Sequence, residues 1–418
     1  MASSFTRHDV DSSSESQETA FSLSMDRLRI QYINSAMTVS KLPRALLKEK
    51  KRAQARLDAY IYPTHTLPPE IVSEIFTHVL PPYPLRPPAT GFGSPTLLSH
   101  VCRSWREIAL STPRLWRAIA IHLCGLVPAR VHIAIDACGL VHSHIDSPAK
   151  AHMLETWLAR SQCCPLSISI SASPYASPSA LDSVLSTLLA HYRRWEYFRL
   201  VGFFHHVQYM SELLRSDVTL LRELQIDFSG ATEAEKTVTP FPNTPRLHAL
   251  VLLSTSVPRY ITLPWSQLTH FTAKFSDQKN CSALLQKMPG LIYCKVELCG
   301  YNPSENPPIV LARLETLILQ NASEPRNKLT GLLASLTLPS LRRLHVPEAF
   351  LLPDPVDTFS QFVSRSGCGS LEQVNIVGQT KAGEYQETSA MRGIAGKSQV
   401  VVQSRYTAED VDSETDEE

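Results

Sequence analysis

His142 and His144, with Ser143 between them and Asp146 two residues on, are residue types that bind metal ions or relay protons. Their spacing serves neither purpose. Side chains that share one helix face lie three or four residues apart, and these histidines are two apart. A polar connector is the simpler reading. Gly91 and Gly93 form a G-x-G inside a Pro-rich loop, with no strand before it and no lysine after it, so no phosphate cradle follows. The chain contains no G-x-S-x-G elbow, no H-E-x-x-H pair, no P-loop and no dinucleotide fingerprint. His205 and His206 follow an aromatic pair, Phe203 and Phe204, and read as a packed loop. The nine cysteines include no C-x-x-C; Cys163 and Cys164 are adjacent, and Cys294 and Cys299 lie close together. Reduced thiols in a cytoplasmic or nuclear protein are the expectation. Serines and the 15 histidines allow triads to be drawn, but no motif orients one. We expect no catalytic residues, no metal and no cofactor, and a protein whose work is recognition.

The 418 residues give room for two or three domains, and 43% hydrophobic with 19% charged residues fits a globular protein. A formal net charge of +1 supplies no overall field to draw nucleic acid or a membrane surface. No apolar run of about 18 residues is present to span a bilayer. The longest candidate, Leu115 to Leu140, is broken by Arg117, His122, Arg130, His132 and Asp136. The first 22 residues are polar, Ser-rich and without a signal-peptide core, and are expected to be disordered. Thirty prolines punctuate the chain at short intervals, which favours short repeated elements over long helices.

Recognition needs positioned surfaces, and Leu67 to Trp116 holds the first. Pro68 and Pro69 suit the first helical positions, where a missing N–H costs nothing, and Glu70 lies in the first turn. Ile71, Val72, Ile75, Phe76, Val79 and Leu80 recur at three- and four-residue intervals, and Pro81 and Pro82 end the helix. A second amphipathic stretch carries Val101, Cys102, Trp105, Ile108 and Ala109 on one side, with Arg103, Arg106 and Glu107 on the other. Thr112 and Pro113 then start a turn that brings in Leu115 and Trp116. A unit of this size cannot bury all of its own apolar surface.

LPPEIVSEIF, VCRSWREIA and TPRLW, in that order, resemble the F-box of the fungal F-box-like families. The resemblance implies a trimer of short helices docking on the Skp adaptor of a cullin ubiquitin ligase. The docking residues it implies are Leu67, Pro68, Ile71, Ile75 and Phe76 from the first helix, and Val101, Cys102 and Trp105 from the second. Trp105 and Trp116 are also the expected core members. The Pro/Gly loop from Pro81 to Pro95 is longer than in the usual F-box. Ahead of the unit, Leu23 to Tyr62 has a helical pattern divided at Pro43. Its KEKKR run, Lys48 to Arg52, reads as the solvated face of a helix whose buried side carries Leu46, Leu47, Ala53 and Leu57.

Beyond residue 160 a second pattern begins with PLSISISA, a strand alternating Leu166, Ile168 and Ile170. An apolar triplet at positions one, four and six then recurs eight times, the strand signature of a leucine-rich repeat. The triplets are Trp195, Phe198, Leu200; Leu221, Leu224, Ile226; Leu247, Leu250, Leu252; and Leu268, Phe271, Ala273. They continue as Leu291, Cys294, Val296; Leu314, Leu317, Leu319; Leu341, Leu344, Val346; and Leu371, Val374, Ile376. Steps of 26, 26, 21, 23, 23, 27 and 30 residues are irregular, and only Cys299 falls where such repeats place Asn or Cys after the strand.

We therefore expect an α+β protein, a short helical F-box-like unit followed by an irregular leucine-rich-repeat α/β solenoid. Its parts are a disordered segment 1–22, a helical lead-in 23–62, the F-box-like unit 63–122, a connector 123–160, the solenoid 161–380, and a disordered acidic tail 381–418. Between the inward residues of each strand stand outward ones: Arg199, Gln225, Val251, Thr272, Lys295, Ile318, His345 and Asn375, flanked by Tyr293, Arg343 and others. Arg199, Gln225, Tyr293, Lys295 and His345 are the candidate contacts to a protein substrate. Mixed charge there suits protein better than nucleic acid. The competing expectation is a scaffold outside the ligase system, whose helices only cap the solenoid. The two separate on exposure: docking leaves Ile71, Ile75 and Val101 partly open, and a cap covers them.

Overall fold

A computed structural model describes residues 9–37, 44–59, 67–123, 147–173, 176, 178–203, 217–229, 239–240, 244–253, 261–275, 278–298, 307–321, 330–378, 380, 382–386 and 399–403. The chain divides into two compact units, Met1–Ile75 and Phe76–Glu418. The expected connector cluster from His142 to Asp146, and His205 with His206, lie outside the described residues.

The first unit is built on α1 (Asp9–Met37) and α2 (Arg44–Ala59). Ile33 on α1 and Ala53 on α2 are buried. Asp26 is buried and takes a two-pronged bond from Arg56, at 2.6 and 2.8 Å. The guanidinium holds that carboxyl below the usual carboxylate range, because the charged form is the bonded one. Arg29 and Glu49 add a surface pair at 3.0 Å. Helix starts earlier than expected, at Asp9 and so inside the segment read as disordered. Extending a helix already nucleated by packing costs far less than starting one. Leu47 is another correction, since it is exposed. The KEKKR run lies within α2.

The second unit opens with helices and continues as a parallel sheet. α3 (Pro69–Val79) runs into it, followed by α4 (Pro95–Val101), α5 (Arg103–Ser111) and a 3-10 turn at Pro113–Trp116. β1 (Ala118–Leu123) comes next, then α6 (Ser147–Arg160), β2 (Leu166–Ala172), α7 (Pro178–Leu189), β3 (Trp195–Phe203) and β4 (Glu223–Ser229). β5 (Thr239–Pro240) and β7 (Ile261–Thr262) pair with each other, as do β10 (Ile309–Val310) and β12 (Leu336–Thr337). β6 (Ala249–Leu252), β8 (His270–Phe275), β9 (Tyr293–Leu298), β11 (Thr316–Asn321), β13 (Arg343–Pro347), β14 (Gln373–Val377) and β15 (Gln399–Gln403) complete the main sheet. Its 11 strands lie side by side in chain order, every neighbour parallel.

Register follows the apolar triplets. The middle residues Phe198, Leu224, Leu250, Phe271, Cys294, Leu317, Leu344 and Val374 stand opposite one another across successive strands. All three residues of all eight triplets are buried, none more than 3% exposed. Such a row is favoured because a one-residue slip would turn every apolar side chain outward. Cys294 behaves here as a small apolar residue, its thiol pushed up to about 12 by burial.

The sheet is longer at both ends than the repeat pattern indicated. β1 falls at the boundary drawn between the F-box-like unit and the connector, where no strand was read, and its alternating AIAIHL pairs with β2 from Ala118 opposite Ser167 to Leu123 opposite Ala172. β15 falls inside the segment read as an acidic tail, where a β-branched run pairs with β14. Residues 404–418, which carry the acidic sequence itself, lie outside the described residues. Among the described residues no helix is long and apolar enough to cross a membrane.

Candidate partner-binding surfaces

α3 carries two apolar columns. Val72 and Phe76, four residues apart, are buried at 4% and 1% exposure. Ile71, Ile75 and Val79 occupy the next column round the helix and are 50%, 46% and 44% exposed. An apolar column left in water by a folded chain marks a surface that something else completes. Leu67 and Pro68, ahead of the helix, are exposed as well, and the Pro68 carbonyl accepts from the N–H groups of Ile71 and Val72.

The second helical region is fixed by two caps. Ser94 Oγ accepts from the N–H of Thr96 at 3.1 Å, and Pro95 fills the first position of α4. Cys102 is extended, with φ −154° and ψ 173°, and breaks the helix for one residue. Its Sγ accepts from the N–H of Trp105 at 3.4 Å and so caps α5. Leu97 and Val101, four apart on α4, are exposed, Val101 at 56%. Cys102 and Trp105 are half-buried.

Two expected docking residues therefore change role. Phe76 belongs to the interior: its ring lies 4.9 Å from that of Trp105, tilted by 59°. Cys102 acts as a cap whose side chain is spent on the α5 backbone. Trp116 is the core residue expected; its indole N–H donates to the Ala109 carbonyl at 2.9 Å and its ring meets Trp157 edge-on at 4.9 Å. Arg160 lies over the other aromatic surface, 4.4 Å from the ring centre.

The long loop after α3 is seated on the outward face of the sheet. Tyr83 Oη donates to Glu196 at 2.8 Å, and the same carboxylate takes Arg222 at 2.9 Å. The Tyr83 ring meets Tyr197 edge-on at 5.5 Å, with Arg117 over it at 3.9 Å. Burial raises the Tyr83 phenol, and Glu196 beside it adds to the effect. Ser167 Oγ donates to the Pro84 carbonyl at 2.7 Å, and Arg86 donates to the Ile168 carbonyl at 3.3 Å. The loop can approach so closely because the outward residues of β2 are the small Ser167, Ser169 and Ser171, the first two of them buried. No single strand pattern reveals such a cover, but serines at alternate outward positions were its trace in the sequence.

Beyond the loop the outward residues form one row. Ser169, Arg199, Gln225, Val251, Thr272, Lys295, Ile318, His345, Asn375 and Val401 stand opposite one another from β2 to β15. Of the candidate contacts, Arg199, Gln225, Lys295 and His345 share this row, and Tyr293 lies in the adjacent one. Arg199 stands at the loop's margin: Arg86 is near enough that its guanidinium is pulled down by Arg199 as well as by burial. Tyr293 stacks on His270 at 5.9 Å and 21°. Burial, then the charge of Lys295, holds the His345 imidazole below its ordinary value. Lys274 and Glu297 pair across β8 and β9 at 2.9 Å.

No curated protein matches the chain. Its residues 64–122 match the F-box-like family, a span that takes in α3, the seated loop, α4, α5 and all but the last residue of β1. Those residues form an F-box-like domain.

Proposed function

We propose that this protein is a non-catalytic substrate-recognition adaptor of a Skp–cullin–F-box ubiquitin ligase, acting in the cytoplasm or nucleus. The F-box-like domain docks on the Skp adaptor, and the sheet, read as an irregular leucine-rich-repeat solenoid, presents its outward rows to a protein substrate. The adaptor's contribution is proximity: it holds a lysine of the substrate near a charged conjugating enzyme and raises effective concentration. The observation that carries the reading is the exposed apolar residues Ile71, Ile75 and Val101 in a domain whose own core is already filled by Phe76, Leu115 and Trp116. A helical unit that served only to cap the sheet would have those three covered. The domain also covers the first strands, through Tyr83, Pro84 and Arg86, so its attachment to the sheet uses other residues.

Affinity for purified Skp adaptor tests the proposal, with the Ile71→Ala, Ile75→Ala, Val101→Ala triple variant beside the wild type. The three side chains are exposed, so circular dichroism and melting should match the wild type, while affinity falls by at least tenfold (about 1.4 kcal/mol). Absence of wild-type binding, where an established F-box protein binds, would sink the ligase reading.

A further inference from the structure

α1 has a second apolar face besides the one that packs with α2. Asp26 and Ile33 mark the buried face, where Asp26 is bonded to Arg56 of α2. Phe21, Met25, Leu28 and Tyr32 stand about 120° round the helix from them, at about 100° per residue. They are 68%, 47%, 57% and 70% exposed. Their steps of four, three and four residues follow the d, a, d, a positions of a heptad pattern and keep the stripe within about 60° of arc. So narrow a stripe is the seam of one helix packed along another; a helix laid on a sheet presents a broader face.

The flanks of the seam and its area fit a second copy of the same helix. Ser22, Ser24, Arg29 and Gln31 occupy the e and g positions, where charge selects or rejects partners. Of these only Arg29 is charged, and Glu49 of its own chain matches it at 3.0 Å. Two copies therefore meet without like-charge repulsion, and nothing on the flanks selects a partner of opposite charge. A lipid surface is a poorer match, because α1 carries five acidic residues and two basic ones, the reverse of a membrane-surface helix. Roughly 100 Å² stays open on each of the four side chains, so pairing two copies removes about 800 Å² from water before the flanks are counted. Interfaces below about 1,200 Å² belong to weak, reversible complexes, and a dimer of micromolar affinity is what such a stripe supports.

We propose that two copies of this chain associate through Phe21, Met25, Leu28 and Tyr32 of α1, which form a two-helix seam and hold a reversible homodimer. Dimerisation through α1 does not rest on the ligase function proposed above. Sedimentation equilibrium of the full-length chain tests it. The wild type should pass from the mass of one chain to the mass of two across the micromolar range. The Phe21→Ser, Leu28→Ser variant should weaken the dimer at least tenfold; both side chains are exposed, so circular dichroism of the dilute protein should match the wild type. Leu28→Lys alone, which keeps a good helix former and puts a charge into the seam, should do the same. Asn34→Ala, exposed on the same helix away from the stripe, should leave the dimer intact, and so should Ile71→Ala with Ile75→Ala on the exposed column of α3. A wild type that stays monomeric across the range, leaving the stripe to a different partner, would overturn the proposal. A dimer that survives both Leu28 changes, or that is lost with the α3 changes, would overturn it as well. None of these results depends on Skp binding, so the two proposals fail separately.

Discussion

Ile75 and Phe76 follow one another on α3, and one step of about 100° round the helix carries the chain from a half-exposed side chain to one that is 1% exposed. The energetic consequences should differ accordingly. Phe76→Ala removes a ring packed on Trp105 and leaves a cavity, and is expected to cost about 3–5 kcal/mol. The lower end is favoured, because half-buried Trp105 can shift into the space. Ile75→Ala should change stability by no more than about 0.5 kcal/mol. Urea unfolding followed by tryptophan fluorescence separates the two, and equal losses would mean that the assigned columns are wrong. The sequence showed that α3 has a broad apolar face. It did not show how that face divides between the domain's interior and a partner, because Ile75 and Phe76 have the same hydrophobic character and differ only in what lies opposite. Cys102 was opaque for a related reason: a cysteine that caps a helix with its sulfur looks, in sequence, like any small apolar residue.

At the scale of elements, the seated loop joins the helices to the sheet, and its weak point is β2. Ser167 is fully buried and donates to the Pro84 carbonyl. A leucine there has no space and no hydroxyl, so Ser167→Leu should cost about 1–3 kcal/mol through overpacking. The loop is the part able to yield, since it is held by few contacts while β2 is bonded to both β1 and β3. Amide exchange in residues 82–94 should therefore rise in this variant, with β8 to β14 unchanged. Unchanged exchange in the loop would show that it is anchored by other contacts. The strands that sequence reading found and missed differ in the same physical way. Triplets such as Leu224–Ile226 and Leu317–Leu319 recur and support one another. β1 and β15 are single alternating or β-branched runs whose strand character comes from a neighbour far along the chain.

Among the described residues each strand of the main sheet bonds only to its neighbours in the order of the chain, and none joins the first strand to the last. Stability in such an array is close to a sum of neighbour terms, and a lesion should stay local. It follows that the outward rows can be stiff in the middle while the β15 edge opens more readily. Leu344→Ala tests this. Leu344 is buried in the shared apolar row between Leu317 and Val374, and losing it should cost about 2–5 kcal/mol. Coupling through neighbours alone predicts that amides of β13, β14 and β15 lose protection by orders of magnitude, while those of β1 to β4 keep theirs. One cooperative body would instead lose protection evenly from β1 to β15. Hydrogen exchange resolved by peptide decides between the two.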